Sequence, residues 1–148
     1  MELDNPSLID GDSFYDQRGS VSFINNLDLI NIKRFYIVEN HQQNFVRAWH
    51  AHKFEQKVFI CIEGAAQISA VKVNNFENPS KDTEIFNFFL SEKKMQCVFI
   101  PKGYANGSMS LIKKTRLLIF SDSSLKESLN DDYRFPYDFW DNWNIKFK

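Results

Sequence analysis

The sequence predicts an all-β domain. Apolar, β-branched runs of strand length follow one another closely, and turn residues separate them at spacings typical of antiparallel hairpins. No long segment repeats its apolar residues with the 3.6-residue period of a helix. The chain has 148 residues, of which 43% are hydrophobic. We therefore expect residues 1–148 to form a single domain, a barrel or a sandwich, with a core of its own.

The predicted strands are the successive runs rich in Val, Ile and Phe, residues that fit a pleated, half-buried surface. They are Gly19–Ile24, Ile32–Val38, Phe45–Ala51, Val58–Ile62, Ala66–Val73, Ile85–Leu90, Cys97–Ile100 and Leu117–Phe120. Turn residues lie between them, such as Glu63-Gly64 and the Pro-Lys-Gly sequence after Ile100. One short helix is predicted at Ser123–Leu129. The order is that of hairpins rather than of strands alternating with helices.

The C-terminal segment from Tyr133 to Phe147 is dense in aromatic side chains. Exposed rings in such number favour aggregation, so we expect this aromatic-rich extension to pack across the barrel or against a partner subunit. The two cysteines, Cys61 and Cys97, each lie in an apolar, strand-like run. Both are therefore expected to be buried free thiols rather than a disulfide.

The charge balance argues against two classes of partner. The chain has 18 Lys and Arg against 19 Asp and Glu, a formal charge of −1, so no general basic field exists for nucleic acid or an anionic membrane. The N-terminal sequence MELDNP lacks the cationic start and apolar run of a signal peptide, and no stretch reaches membrane-spanning length. The sequence thus predicts a cytoplasmic protein.

The stretch Arg47–Lys57 (RAWHAHKFEQK) is the most informative for chemistry. In an extended strand, residues i and i+2 point to the same face, so His50 and His52 are expected to share one pocket wall. An imidazole titrates at a pKa of about 6.5 and can take or give a proton near neutral pH. With Glu55 as a nearby carboxylate, the same pair also suits a metal ion.

These residues resemble the two signature motifs of the cupin superfamily, a double-sheet jelly-roll barrel. His50, His52, Glu55 and Gly64 correspond to the first motif, and the Pro-x-Gly turn before Asn106 corresponds to the second. Metal cupins have another histidine ligand where this sequence has Asn106, and the His-to-Glu spacing is one residue short. Both departures argue against a site of three histidines and a glutamate, whereas two histidines and one carboxylate remain an alternative.

Within the cupins, the sequence resembles the nucleotide-sugar branch of dTDP-4-dehydrorhamnose 3,5-epimerases and dTDP-4-keto-6-deoxyglucose 3,4-ketoisomerases. Asp16–Gly19 (DQRG) resembles the Asp-x-Arg-Gly turn of these enzymes. Arg47–Lys53 (RAWHAHK) is similar to the ketoisomerase sequence Arg-Gly-x-His-Ala-His-Lys, whereas Ile100–Gly107 (IPKGYANG) resembles the epimerase sequence Ile-Pro-x-Gly-Phe-Ala-His-Gly. The resemblance covers most of the chain.

The resemblance implies an isomerase or epimerase that acts without a metal or other cofactor on a nucleotide-linked, dTDP-type 4-keto-6-deoxy sugar. By position, His50 matches the family base, which removes the ring proton next to the ketone. His52 matches the second ketoisomerase histidine, which returns a proton to the neighbouring carbon. The implied substrate-binding residues are Arg18, Tyr36, Arg47, Lys57 and Asn106. The family also implies a homodimer in which an N-terminal strand crosses to the partner sheet.

Two departures from the family patterns matter for the reaction. The 3,5-epimerases carry a catalytic Tyr on a late strand, where this sequence has Ile119 and Phe120. The 3,4-ketoisomerase is therefore favoured over the epimerase. The motif glycine is replaced by Ala48, and strict alternation from His50 turns Arg47 to the opposite face, so a β-bulge is needed to bring Arg47 in.

Two alternatives to the isomerase remain at this point. One is a cupin that binds the sugar nucleotide without catalysis, which the missing Tyr and the presence of Asn106 favour. The other is a metal-dependent cupin enzyme that uses His50, His52 and Glu55.

Overall fold

The computed structural model describes residues 2–140 and 143–145. Its strands are β1 (Ser7–Asp10), β2 (Asp12–Asp16), β3 (Gly19–Phe23), β4 (Arg34–Asn40), β5 (Val46–Ala51), β6 (Lys57–Glu63), β7 (Ala65–Lys72), β8 (Ile85–Ser91), β9 (Gln96–Ile100), β10 (Tyr104–Ser110), β11 (Thr115–Ser121) and β12 (Tyr133–Arg134). A short helix, α1 (Leu125–Leu129), lies between β11 and β12. No helix in these two ranges is long and apolar enough to cross a membrane.

Two five-stranded sheets form a double-sheet barrel. The first sheet has the order β1-β9-β6-β11-β4, and the second has the order β12-β5-β10-β7-β8. All neighbouring strands are antiparallel, and β2 and β3 form a separate two-stranded ribbon. The predicted all-β class and jelly-roll barrel are confirmed.

The main core lies between the two sheets. Phe59, Leu117 and Ile119 point inward from the first sheet, and Ile68 and Leu90 point inward from the second. Along β11 the burial alternates residue by residue, as expected for a strand with only one face on the core. The cavity described below opens from this same inner space.

All eight predicted strands are present, with small shifts at their ends. The predicted helix is confirmed at Leu125–Leu129, where Ser124 is the N-cap and forms a capping box with Glu127. The sequence did not predict β1, β2, β10 or β12. Strand β10 (YANGSMS) consists largely of small and polar residues, yet all of it is buried, because both of its faces are covered.

The aromatic extension packs on the outer face of the second sheet. The buried ring of Trp49 lies 5.3 Å from that of Trp140 and 5.1 Å from that of Trp143, centroid to centroid. The indole N–H groups of Trp49 and Trp143 both donate to the carbonyl of Tyr137, at 3.1 and 2.8 Å. Packing across the barrel is thus confirmed for the described part of the tail. Residues 141, 142, 146 and 147 of the predicted segment lie outside the described residues.

Both cysteines are buried free thiols, as predicted. Burial raises the pKa of Cys61 and of Cys97 to about 11. The thiolate, which is the reactive form of a cysteine, is therefore disfavoured at both positions at neutral pH.

Candidate active site

A cavity of about 500 Å³, including its open mouth, lies between the two sheets. Strands β4, β5, β6, β10 and β11 supply its walls. The lining residues are Tyr36, Val38, Arg47, His50, Lys57, Phe59, Asn106, Gly107, Ser108 and Ile119. Five residues predicted from the sequence therefore meet in one place: Tyr36, Arg47, His50, Lys57 and Asn106.

A β-bulge brings Arg47 and His50 to the same wall. Asn106 of β10 pairs with His50, but Ser108 pairs with Arg47, so the register shifts across Gly107. The peptide bond between Ala48 and Trp49 is cis. The bulge predicted from the sequence is confirmed. Glycine at 107 permits it, because a Cβ added there would lie 2.6 Å from the Cβ of Ala48.

His50 is half-buried in the cavity wall, and its backbone carbonyl accepts a hydrogen bond from Nδ2 of Asn106 at 3.0 Å. Burial, followed by the positive charges of Arg134 and Lys57, lowers the pKa of His50 to about 4. The ring is therefore a neutral imidazole at neutral pH. A neutral imidazole has a nitrogen lone pair, which is what a general base requires.

His52 lies behind Lys57 and does not line the cavity. Its Nδ1 lies 2.6 Å from the carbonyl of Asp131, and its Nε2 lies 3.0 Å from Nζ of Lys57. A carbonyl only accepts, so Nδ1 carries the proton and Nε2 accepts from the amine. Burial, followed by the charge of Lys57, lowers the pKa of His52. The expectation of two imidazoles on one wall is met by His50 alone, because the chain leaves β5 at Ala51.

Glu55 is a buried carboxylate held by several donors. It accepts from the guanidinium of Arg34 at 3.2 Å, from Oγ of Ser121 at 2.5 Å and from Oγ of Ser128 at 2.8 Å. Its Oε2 also lies 3.1 Å from Nδ1 of His52. Burial alone raises the pKa of Glu55, but Lys57, Ser121 and His52 outweigh it, so the pKa lies below its ordinary value. The group is ionised and anchors this side of the site.

The residues of the metal alternative do not fit a metal ion. His52 uses Nε2 on Lys57, and the oxygens of Glu55 are taken by Arg34, Ser121 and Ser128. His50 faces the cavity, whereas the other two side chains lie behind it. Across residues 2–140 and 143–145, no three His, Cys, Asp or Glu side chains converge as a metal site requires.

Burial shifts the pKa values of two further cavity residues, Tyr36 and Lys57, in opposite directions. Burial, followed by the negative charge of Glu55, raises the pKa of Tyr36 to about 12, so its hydroxyl keeps its proton and can donate. Burial lowers the pKa of the Lys57 amine, although Glu55 opposes the shift. Arg34 stacks over Tyr36, with 4.9 Å between its guanidinium carbon and the ring centroid. Tyr36 and Lys57 can each donate a hydrogen bond to an oxygen in the cavity.

Arg18 is not brought to this cavity within one chain. It lies in the turn of the β2–β3 ribbon, with a side chain 83% exposed and paired with Asp16. It lines a separate, open pocket formed by the ribbon itself, beside Phe14 and Val21.

Sequence reasoning missed two residues next to the site. Asp131 accepts from His52 through its carbonyl and from the backbone N–H groups of Lys53 and Phe54 through its carboxylate, at 2.8 and 2.9 Å. Arg134 pairs with His50 across β12 and β5. Both residues are distant from His50 in sequence and belong to no motif, so only the aromatic tail gave a signal that this segment packs against the barrel.

Comparison with family models gives one match. The family described as FdtA (WxcM-like, C-terminal) matches residues 4–143. A comparison with curated protein sequences gives no match.

Solved structures share the fold. The dTDP-4-dehydrorhamnose 3,5-epimerase from Bacillus anthracis, bound to TDP and PPi, matches with a TM-score of 0.75 at 16% identity, over 93% of this chain and 83% of that one. The sugar 3,4-ketoisomerase QdtA from Thermoanaerobacterium thermosaccharolyticum, in complex with TDP, matches with 0.68 at 23%, over 94% and 93%. A 3,4-ketoisomerase from Helicobacter canadensis matches with 0.69 at 23%, over 94% and 96%. At these identities the similarity establishes the fold.

Proposed function

The chain belongs to the FdtA family (WxcM-like, C-terminal), and from that membership we propose that it is an isomerase acting on a dTDP-linked 4-keto-6-deoxy sugar. The observation that carries the proposal is a neutral His50 in a cavity that also holds proton donors, Tyr36 and Lys57. A base with donors beside it suits proton abstraction next to a ketone. The solved relatives that hold TDP support a dTDP-linked substrate.

The proposed reaction interconverts the 4-ketone and the 3-ketone. His50 takes the proton from carbon 3, the electron pair of that C–H bond forms a double bond between carbons 3 and 4, and the carbonyl pair moves to oxygen 4, which takes a proton from Tyr36 or Lys57. The protonated His50 then gives its proton to carbon 4, while the hydroxyl on carbon 3 returns a proton to Tyr36 or Lys57 and becomes the ketone of the 3-keto product. His52 acts on the cavity through Lys57, its hydrogen-bond partner. Arg47 and Asn106 are the proposed contacts to substrate oxygens.

The lining of β11 favours 3,4-ketoisomerisation over 3,5-epimerisation. The side chain that β11 contributes to the cavity is that of Ile119, whereas Phe120 packs on the outer face of the sheet beside Val58 and Phe99. β11 therefore places no hydroxyl group in the described cavity lining to act as an acid at carbon 5.

The experiment is proton NMR of the purified protein with dTDP-4-keto-6-deoxyglucose in deuterated water. We expect deuterium at the carbon next to the ketone, or a 3-keto product. Both should fall by about 10²- to 10⁴-fold in His50→Asn, the usual contribution of a general base. His41→Asn is the matched control, because His41 is exposed in a loop.

Binding of the substrate with neither exchange nor product contradicts the isomerase. That outcome favours the non-catalytic sugar-nucleotide-binding cupin, which the presence of Asn106 in the motif supports. Saturation-transfer NMR on the same sample measures the binding.

The β2–β3 ribbon supports a homodimer as the functional form. Among the described strands the ribbon pairs only with itself, and Phe14, Tyr15 and Val21 are each more than half exposed. Apolar side chains on an isolated ribbon need a surface to cover them. The ribbon of one copy would lie on the second copy and carry Arg18 towards the partner's cavity.

A further inference from the structure

Strand β12 presents a residue outside every sequence motif on the face where His50 lies. Tyr133 pairs with Ala51, and Arg134 pairs with His50. Residues directly opposite each other in antiparallel strands point to the same side of the sheet. Tyr133 packs with the aromatic cluster on the outer face. Arg134 therefore points to the inner side of the sheet, the side on which His50 lines the cavity.

The guanidinium of Arg134 is only partly engaged. Its Nε donates to the carboxylate of Asp132 at 3.0 Å, and within the described part of the chain this is its one hydrogen-bond partner. The side chain is 66% exposed. The other two nitrogens of the guanidinium thus have no hydrogen-bond partner among the described residues, and they belong to an exposed side chain that an incoming ligand can reach.

The charges around His50 are mostly positive. Arg134 and Lys57 lower the pKa of His50 after burial, His52 adds a smaller effect of the same sign, and Asp132 opposes them. Arg47 contributes a further guanidinium to the cavity wall. A surface with this charge pattern beside an open cavity attracts an anion.

We propose that Arg134 is a substrate-binding residue that contacts the phosphoryl oxygens of the nucleotide-linked substrate at the rim of the His50 cavity. The inference rests on the proposed function, in which the substrate carries a diphosphate. A guanidinium forms paired hydrogen bonds with phosphate oxygens, which a Lys ammonium cannot reproduce. A bound anion also offsets the positive charge at the rim, so binding raises the pKa of His50.

The test titrates inorganic pyrophosphate, and separately TDP, into the wild type, Arg134→Gln, Arg134→Lys and the control Arg116→Gln. Arg116 lies on β11, away from the cavity, and pairs with Glu63 at 4.0 Å. Calorimetry gives the affinities, and NMR of the histidine rings gives the pKa of His50. We expect Arg134→Gln to weaken both ligands by about 10- to 100-fold and to raise the pKa of His50. Arg134→Lys should weaken binding while the pKa of His50 stays low, and Arg116→Gln should change neither.

If Arg134 had only a structural role, Arg134→Gln and Arg134→Lys would not both weaken binding while differing in their effect on the pKa of His50. Equal affinities of wild type and Arg134→Gln for pyrophosphate overturn the inference, as does a wild type that binds neither probe. If deuterium exchange occurs although affinities are equal, the proposed function stands and the role of Arg134 falls. If binding depends on Arg134 but no exchange occurs, the anion site stands and catalysis falls. Should Arg134→Gln fail to fold, Arg134→Lys carries the comparison.

Discussion

His50 and Tyr36 line one cavity, but at neutral pH the ring of His50 is uncharged and free to accept a proton, whereas the hydroxyl of Tyr36 keeps its proton. The pKa of His50 lies at about 4 and that of Tyr36 at about 12. Burial has the same effect on both residues, because it disfavours the charged form of each side chain. At neutral pH the cavity therefore holds both a free base and a protonated donor, the combination that enolisation of a ketone needs.

The acid limb of the pH–rate profile should reveal the low pKa of His50. The base is lost only when the ring is protonated, so kcat/KM should stay high as the pH falls from 7 towards 5. The apparent pKa of the limb should lie well below the ordinary histidine value of about 6.5. Steady-state rates with dTDP-4-keto-6-deoxyglucose across this range measure it. In Arg134→Gln the limb should move to higher pH, because a cation next to His50 is removed. A limb at about 6.5 in the wild type contradicts this reading.

At the residue scale, the sequence predicted the cavity groups better than the groups behind them. Strand alternation together with the expected bulge was sufficient for Arg47 and His50. The position of His52 was not predictable, because alternation ends with β5 at Ala51 and a carbonyl at Asp131 sets the direction of the ring. Arg134 reaches the site through a strand pairing that no local pattern encodes.

At the element scale, the bulge in β5 is held from both sides. On the β10 side, Gly107 leaves room for Ala48. On the outer side, the ring of Trp143 would lie 2.9 Å from a Cβ at position 107. Backbone hydrogen bonds between Trp49 and Phe135, at 3.0 and 3.1 Å, tie β5 to the tail. The element that orients Arg47 and His50 thus depends on the packing of the tail.

Gly107→Ala should therefore impair both stability and substrate binding. The added methyl overpacks a closed contact, which costs about 1–3 kcal/mol, and it pushes against the bulge that presents Arg47. Denaturant unfolding measures the first effect, and a rise in KM measures the second. Adding Ala48→Gly removes one of the two contacting groups and should restore part of both losses. An unchanged unfolding midpoint in Gly107→Ala contradicts the account.

Strand prediction succeeded where contact with the core produced an apolar run, as in β11, which is buried on one face, and in β6, which is largely buried on both. It failed for β10, because the cavity on one face and the aromatic cluster on the other select small and polar residues there. The strand that carries Asn106 and Gly107 therefore looks like a loop in the sequence.

At the scale of the whole molecule, two features are not explained by the contacts that the described residues of one chain make. Arg18, expected in the substrate site, lies on the ribbon with its guanidinium in solvent. The ribbon also exposes apolar side chains that its own barrel does not cover. The homodimer proposed above would account for both features at once.

Light scattering coupled to size exclusion should therefore report a dimer for the wild type. Val21→Glu places a charge on the exposed ribbon face and should give a monomer at the same concentration. Leu125→Glu is the control, because Leu125 is similarly exposed but lies on α1. A monomeric wild type contradicts the dimer.

Mixing two inactive variants tests whether Arg18 acts in the partner's cavity. A mixed dimer of His50→Asn and Arg18→Ala contains one complete site only if Arg18 serves the other copy. We expect exchange activity to reappear after the two variants are mixed and refolded together. No recovery, despite mixed dimers, places Arg18 outside the site.

The aromatic cluster on the outer face of the second sheet also gives this protein an intrinsic fluorescence signal. The chain has three tryptophans, and all of them, Trp49, Trp140 and Trp143, belong to that one cluster. Tryptophan fluorescence from the unlabelled protein therefore comes from the junction between the tail and the strand that carries His50. Any ligand that shifts this strand, or any condition that releases the tail, should change the wavelength or intensity of that emission without an added dye.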